Sequence, residues 1–171
     1  MAVLQIRKYP EPILKKKALP VQHVDDALNA IIDDMIETMY AAPGIGLAAP
    51  QVGISRRLIV VDATTKEDKH PLVVLINPQI IEADGFSEFE EGCLSVPEYT
   101  ALITRAERII VKGLDRNGSP VEIEADGLLA RALQHEIDHL DGILFVDRLS
   151  TIKREFFKKR YRKTLKELHA G

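Results

Sequence analysis

The chain has 171 residues, 46% hydrophobic and 29% charged, a length and balance that suit one compact domain and exclude a disordered chain. No run of about 18 apolar residues is present to cross a membrane as a helix. A single cysteine cannot close an internal disulfide, and MAVLQIRKYPEPIL carries neither a secretory nor an organelle-targeting pattern, so the expectation is a cytoplasmic chain starting near Met1.

The elements follow in chain order. Residues 24–41 place Leu28, Ile31, Ile32, Met35, Ile36 and Met39 at helical spacing, with Asp25, Asp26, Asp33, Asp34 and Glu37 mostly on the other face: an amphipathic helix. Residues 43–53, PGIGLAAPQVG, follow as a glycine-rich stretch. No Lys-Ser or Lys-Thr pair closes it, so it is no phosphate loop. Either it is a plain loop, or Gly44 and Gly46 admit a close backbone approach beside the Gln51 amide. LIVVD at 58–62 and LVVLIN at 72–77 are rich in β-branched residues and read as strands. RIIVKGLD at 108–115 and SPVEIEA at 119–125 flank Arg116, Asn117 and Gly118, which predicts a hairpin because Asn-Gly favours positive φ.

A second helix is expected at 126–141, with Asp126 as N-cap and Gly142 at its end. Residues 151–171 form the third. They hold eight Lys or Arg against two Glu, which makes a +6 tail on a chain whose net charge is −3 and leaves −9 elsewhere. Such a tail is either a solvated helix face or a surface for RNA or another acidic partner. Helix, strands, hairpin and helix, with few crossovers of βαβ length and no repeat or linker, indicate an α+β fold with mainly antiparallel sheets packed around the second helix. The whole of 1–171 is read as one catalytic domain, with 151–171 a basic helical tail.

The second helix carries the chemistry. In QHEIDHLDG, His135 and His139 stand four residues apart, about 40° around the axis, so two imidazoles can share one ion. Glu136 lies about 100° round from His135, offset from ligation but placed to reach a water on the metal, the logic of a His-Glu-x-x-His motif. Chance would supply three such positions in roughly one chain in a few hundred. A catalytic site of this kind takes a third protein ligand and keeps a fourth position open. Cys93, in EEGCLSVPEY between Gly92 and Pro97, meets that need in a setting unlike the inside of a strand or helix. One thiolate and two neutral imidazoles leave a divalent ion net positive, able to lower the pKa of bound water toward neutrality.

Together the three segments resemble peptide deformylase. Its Gly-Ile-Gly-Leu-Ala-Ala-x-Gln, Glu-Gly-Cys-Leu-Ser and Gln-His-Glu-x-Asp-His-Leu boxes stand at Gly44 to Gln51, Glu91 to Ser95 and Gln134 to Leu140. Similarity to the bacterial form runs through DDMIETMYAAPG and EADGLLARALQHE. The resemblance implies removal of the formyl group from the initiator methionine of new polypeptides, with Cys93, His135 and His139 on the metal. A water on that ion, its proton taken by Glu136, would attack the formyl carbon. The Leu94 N–H and Gln51 side chain would steady the oxyanion, and Glu136 would return the proton to the leaving amine.

The resemblance further implies an extended peptide paired with Ile45, Gly46 and Gly92, its methionine side chain near Leu128, Ala132 and His135, with Ile45 and Phe89 beside it. It favours Fe²⁺ in the cell, although the ligand set also suits Zn²⁺, Ni²⁺ and Co²⁺. Where some bacterial members have an arginine that could grip the peptide, Tyr99 and Thr100 stand here. Arg105 is expected to pair with Glu91. A monomer that binds neither membrane nor DNA is expected, with its basic tail suited to docking on ribosomal RNA. Two other readings remain at this point. One is a zinc endopeptidase, with Asp147 or Glu155 as third ligand. The other is a structural metal or RNA-binding module, for which His23, His70 and His169 are the only spare imidazoles.

Overall fold

In the computed structural model, residues 2–170 are described, and side chains of residues 2–168. Met1, Gly171 and the rings of His169 and beyond lie outside that description, as do the expectations that touch them.

Asp25 caps the first helix, α1 (Asp26–Ala41), by accepting from the Leu28 N–H at 2.9 Å, so the helix opens at Asp26 rather than at residue 24. Five strands form one antiparallel sheet: β1 (Gly46–Ala48), β2 (Leu58–Val61), β3 (Val73–Asp84), β6 (Arg108–Leu114) and β7 (Pro120–Asp126), in that spatial order. The remaining two, β4 (Ser87–Cys93) and β5 (Val96–Arg105), make a separate hairpin. The α+β class with antiparallel pairing is as the sequence indicated.

β2 explains its own unbroken apolar run. Leu58 and Val60 join Ile32, Met35 and Met39 of α1 in one core, whereas Ile59 and Val61 join the core that holds Leu133, Ile137 and Leu140. Those last three belong to α2 (Gly127–Leu140), so the sheet is covered on both faces and each strand residue is buried whichever way it points. A third core gathers Val96 and Ile103 of β5, the 3₁₀ turn Phe145–Arg148, and Phe157 and Tyr161 of α3 (Thr151–Ala170).

Several expectations are corrected. β3 extends to Asp84, well past the apolar run that announced it, because β6 pairs with it through two bulges. β4 and β5 were not foreseen, since β4 has no aliphatic residue and β5 opens on Val-Pro-Glu, and Cys93 is the last residue of β4 rather than outside a strand. The basic tail also has an apolar side that its charge count did not announce: Phe157 and Tyr161 are almost fully buried, packing edge-on to Tyr9 and Tyr99, and the Tyr161 hydroxyl donates to the Pro97 carbonyl at 2.9 Å. Among the described residues, no helix is long and apolar enough to cross a membrane.

α2 ends as expected at Gly142, where φ is +74° and an added Cβ would stand 2.5 Å from the Lys15 carbonyl oxygen. That close approach lets the Ala18 N–H reach the Leu140 carbonyl at 2.8 Å and ties the N-terminal segment to the end of the helix. Gly142→Ala should therefore cost at least about 1–2 kcal/mol from the left-handed backbone alone. Thermal unfolding several degrees below the parent is the expected result.

Candidate active site

α2 enters the interior with Arg131 and His135 turned toward Glu91 of β4. His135 and His139 sit one turn apart, their rings 5.0 Å between centroids, and Cys93 reaches them from the end of the hairpin. Sγ of Cys93 and one nitrogen of each imidazole all lie within 4.8 Å of one another. Sγ is 3.4 Å from His139 Nε2, close to the separation of about 3.5 Å kept by sulfur and nitrogen on one tetrahedral ion.

The protonation pattern suits a cation. His135 Nδ1 stands 3.1 Å from Glu91 Oε1, and because an ionised carboxylate only accepts, Nδ1 carries a hydrogen and Nε2 is the nitrogen on which a metal would take the place of a second proton. Burial opposes a charge on His135, yet hydrogen bonding to Cys93 and Glu91 and the pull of Glu136 overcome it and raise its pKa to about 10. His139, buried and facing positive neighbours, is pushed well below the ordinary histidine range. The pocket thus attracts one positive charge at the point where the three donor atoms converge.

Glu91 is the hub of the supporting shell. Burial works against its charge, but hydrogen bonds from His135 and Arg105, with the charge on both, hold its pKa down at about 2. Arg105 grips it through two nitrogens at 2.6 and 2.9 Å, and Arg131 adds a third contact at 2.6 Å. The pairing of Arg105 with Glu91 is as expected from the sequence. Arg105 also donates to Asp138 at 2.9 Å, and Asp138 receives Arg148 at 2.6 Å, so a chain of charges runs from the imidazole to the turn before α3.

Glu136 is only 4% exposed, and its Oε1 has no hydrogen-bond partner, nor has His139 Nδ1. Oε1 lies 4.0 Å from His139 Nε2. Burial raises the Glu136 pKa to about 7, against the cations His135 and Arg105. A Cβ on Gly46 would come within 2.5 Å of its Oε2, so the second glycine of the Gly-rich stretch is where β1 passes directly over the carboxylate. An unpartnered buried carboxylate beside two imidazoles and a thiol is a polar group lacking its counterpart, and a hydrated ion supplies one. The residues fit a metal.

A cleft of about 540 Å³ opens over this cluster, bounded by Ile45, Gly46, Gly92, Leu128, Ala132 and His135. Gln51, Leu94, Tyr99 and Thr100 also face it. Phe89 does not: 59% exposed, its ring lies 5.0 Å under the Arg131 guanidinium, outside the cleft wall. Asp147 is engaged by Lys15 and the Leu144 N–H, and Glu155 lies on the exposed side of α3, so neither stands with the histidines.

The polypeptide deformylase family model matches residues 3–155. A peptide deformylase of Thermodesulfovibrio yellowstonii is 59% identical over 95% of this chain and 98% of its own length. The structure of a peptide deformylase from Legionella pneumophila superposes with a TM-score of 0.88 at 49% identity, covering 99% of this chain and 98% of the other. That of the Ehrlichia chaffeensis peptide deformylase in complex with actinonin gives 0.90 at 41% identity, covering 96% and 98%. The chain belongs to the peptide deformylase family.

Peptide deformylases are metal enzymes, and the Cys93, His135 and His139 cluster is a possible metal site. Three residues of this deformylase's site lay unused in the sequence reading. Arg131 stands one helical turn before His135, a spacing that could have flagged it. Asp138 and Ser95 lie within the motif boxes, but their partners are distant in the chain. Arg105→Ala would leave Glu91 and Asp138 short of a buried cation, which typically costs about 3–5 kcal/mol. Metal affinity, read by competition with a chelator, should fall about 10–100-fold as the Glu91 carboxylate that orients His135 loses its bidentate anchor.

Proposed function

We propose that this chain releases formate from N-formylmethionyl peptides at the cluster of Cys93, His135 and His139, and that the whole of 1–171 acts as one catalytic domain. The observation that carries the reading is the buried, unpartnered Glu136 carboxylate beside three converging donor atoms, under a cleft floored by glycines. Cys93, His135 and His139 would hold a divalent ion, which supplies Lewis acidity toward a water and a carbonyl oxygen.

The remaining work falls to the protein. Glu136 takes a proton from the attacking water as oxygen bonds to the formyl carbon, a role suited to a carboxyl group whose pKa burial has brought to about 7. The Leu94 N–H, at the β4–β5 turn beside Cys93, and the Gln51 amide donate to the oxygen on which negative charge grows. Glu136 then delivers its proton to the amide nitrogen as the carbon–nitrogen bond breaks, so formate and a free amine leave and the carboxylate is restored. Ile45, Gly46 and Gly92 would pair with the extended peptide backbone, while Leu128 and Ala132 receive the methionine side chain.

The resemblance favours Fe²⁺ as the cellular ion over Zn²⁺, Ni²⁺ or Co²⁺, in a cytoplasmic monomer. Protein purified without oxygen should contain iron by elemental analysis. Glu136→Gln should retain that ion yet lose about 10²–10⁴-fold in kcat for formate release from a short formyl-Met peptide. Equal loss of metal and activity would instead make Glu136 part of the metal-holding shell.

The same enzyme would gain from docking near the ribosome, and the outer face of α3 presents Lys159, Arg160, Arg162, Lys163 and Lys166 to solvent. Removing the tail is a poor test, because Phe157 and Tyr161 support Tyr99 at the cleft. Lys159→Glu with Lys163→Glu should weaken ribosome co-sedimentation in a salt-dependent manner and leave turnover of a short peptide unchanged.

A further inference from the structure

We propose that Ser95 is a positioning residue for deformylation: its hydroxyl holds one N–H of the Gln51 amide so that the other faces the cleft beside Cys93. The proposal rests on the reading of Gln51 as a donor to the developing oxyanion.

Gln51 lies in the 3₁₀ turn Ala49–Val52, and its Oε1 accepts from the Ala48 N–H at 2.9 Å. A backbone N–H can meet only the oxygen end of an amide, so that contact fixes which end is Nε2. Nε2 has two hydrogens and two neighbours here. Ser95 Oγ is 3.1 Å away and Cys93 Sγ 3.6 Å. The longer contact, to a soft acceptor, is the one that can yield to a substrate oxygen, whereas the shorter one acts as the pivot.

Both side chains are buried, Gln51 at 1% and Ser95 at 0% exposure, so bulk water does not replace the serine hydroxyl as an acceptor. Ser95 is itself fixed by its backbone: its N–H points to Cys93 Sγ at 3.4 Å and its carbonyl accepts from the Tyr9 N–H at 2.7 Å. The hydroxyl therefore ties the Gly-rich stretch to the cysteine turn at the level of the reacting atoms. Without it, Gln51 keeps the Ala48 contact and the long one to Cys93 Sγ, the amide plane turns about the Ala48 bond toward the sulfur, and the donor leaves the direction in which oxyanion charge grows.

A double-mutant cycle in the metal-loaded enzyme separates this role from simple packing. Gln51→Ala should lower kcat about 10²-fold. Ser95→Ala should lower kcat about tenfold with KM little changed, and Ser95→Cys, a weaker acceptor, should fall between. In the Gln51→Ala background, Ser95→Ala should cause no further loss. The thiolate-to-cobalt absorption of the Co²⁺ form should shift in Ser95→Ala, as the released amide moves against Sγ, and not in the pair relative to Gln51→Ala alone. An equal kcat loss in both backgrounds, an unchanged kcat in Ser95→Ala, or an unmoved absorption band would overturn the proposal. If Gln51→Ala itself retains full kcat, the oxyanion reading of Gln51 falls first, and this inference falls with it.

Discussion

The site depends on one buried carboxylate. Glu91 satisfies the His135 imidazole and two guanidinium groups at once, and these come from two parts of the fold: Arg105 from β5, Arg131 and His135 from α2. Neither Glu91 nor Arg105 could be carried into this interior alone, because an isolated buried charge costs several kcal/mol. Their mutual neutralisation joins the β4–β5 hairpin to the helix. The elements that supply the cysteine and the histidines are therefore locked together by charge as well as by apolar packing.

Around that hub, two carboxyl groups of the same helix face opposite conditions. Asp138 is enclosed by Arg105 and Arg148 and serves as an anion in a network. Glu136, two residues earlier, has no cation in contact and has its pKa raised by burial. The difference follows from helix geometry: a shift of two positions is about 200° around the axis, which turns one carboxyl toward the Arg-rich side and the other toward the cleft. A single helix thus provides both a fixed counter-ion and a group able to exchange a proton.

Much of this was legible in the sequence. The two histidines at helical spacing, the apolar stripe of α1 and the β-branched run of β2 are all short-range patterns, which the chain states locally. The Asn-Gly hairpin likewise declared its own turn. What stayed hidden depends on contacts between distant segments. β4 has no aliphatic residue to signal a strand, and β5 mixes Val96, Leu102 and Ile103 with Pro97, Glu98 and Arg105, because the inner face of the hairpin holds Glu91 and Arg105 and the other meets solvent. The tail's charge count concealed Phe157 and Tyr161, two aromatics a turn apart on its inner side. Phe89, expected beside the methionine pocket from its place near the cysteine box, does not line the cleft, and the Arg131 guanidinium sits over its ring.

The hairpin's separation from the main sheet has a thermodynamic meaning. Cys93 and His139 are 46 positions apart, one on a two-stranded unit and the other on the helix beneath the five-stranded sheet. An unfolded chain offers no preassembled donor set, so an ion that engages all three residues binds the native state almost exclusively. Its binding energy becomes folding energy, growing with the logarithm of free ion concentration above the dissociation constant. An ion held there would in that sense be a cross-link between two substructures, and its supply would bear on how firmly the molecule holds its shape.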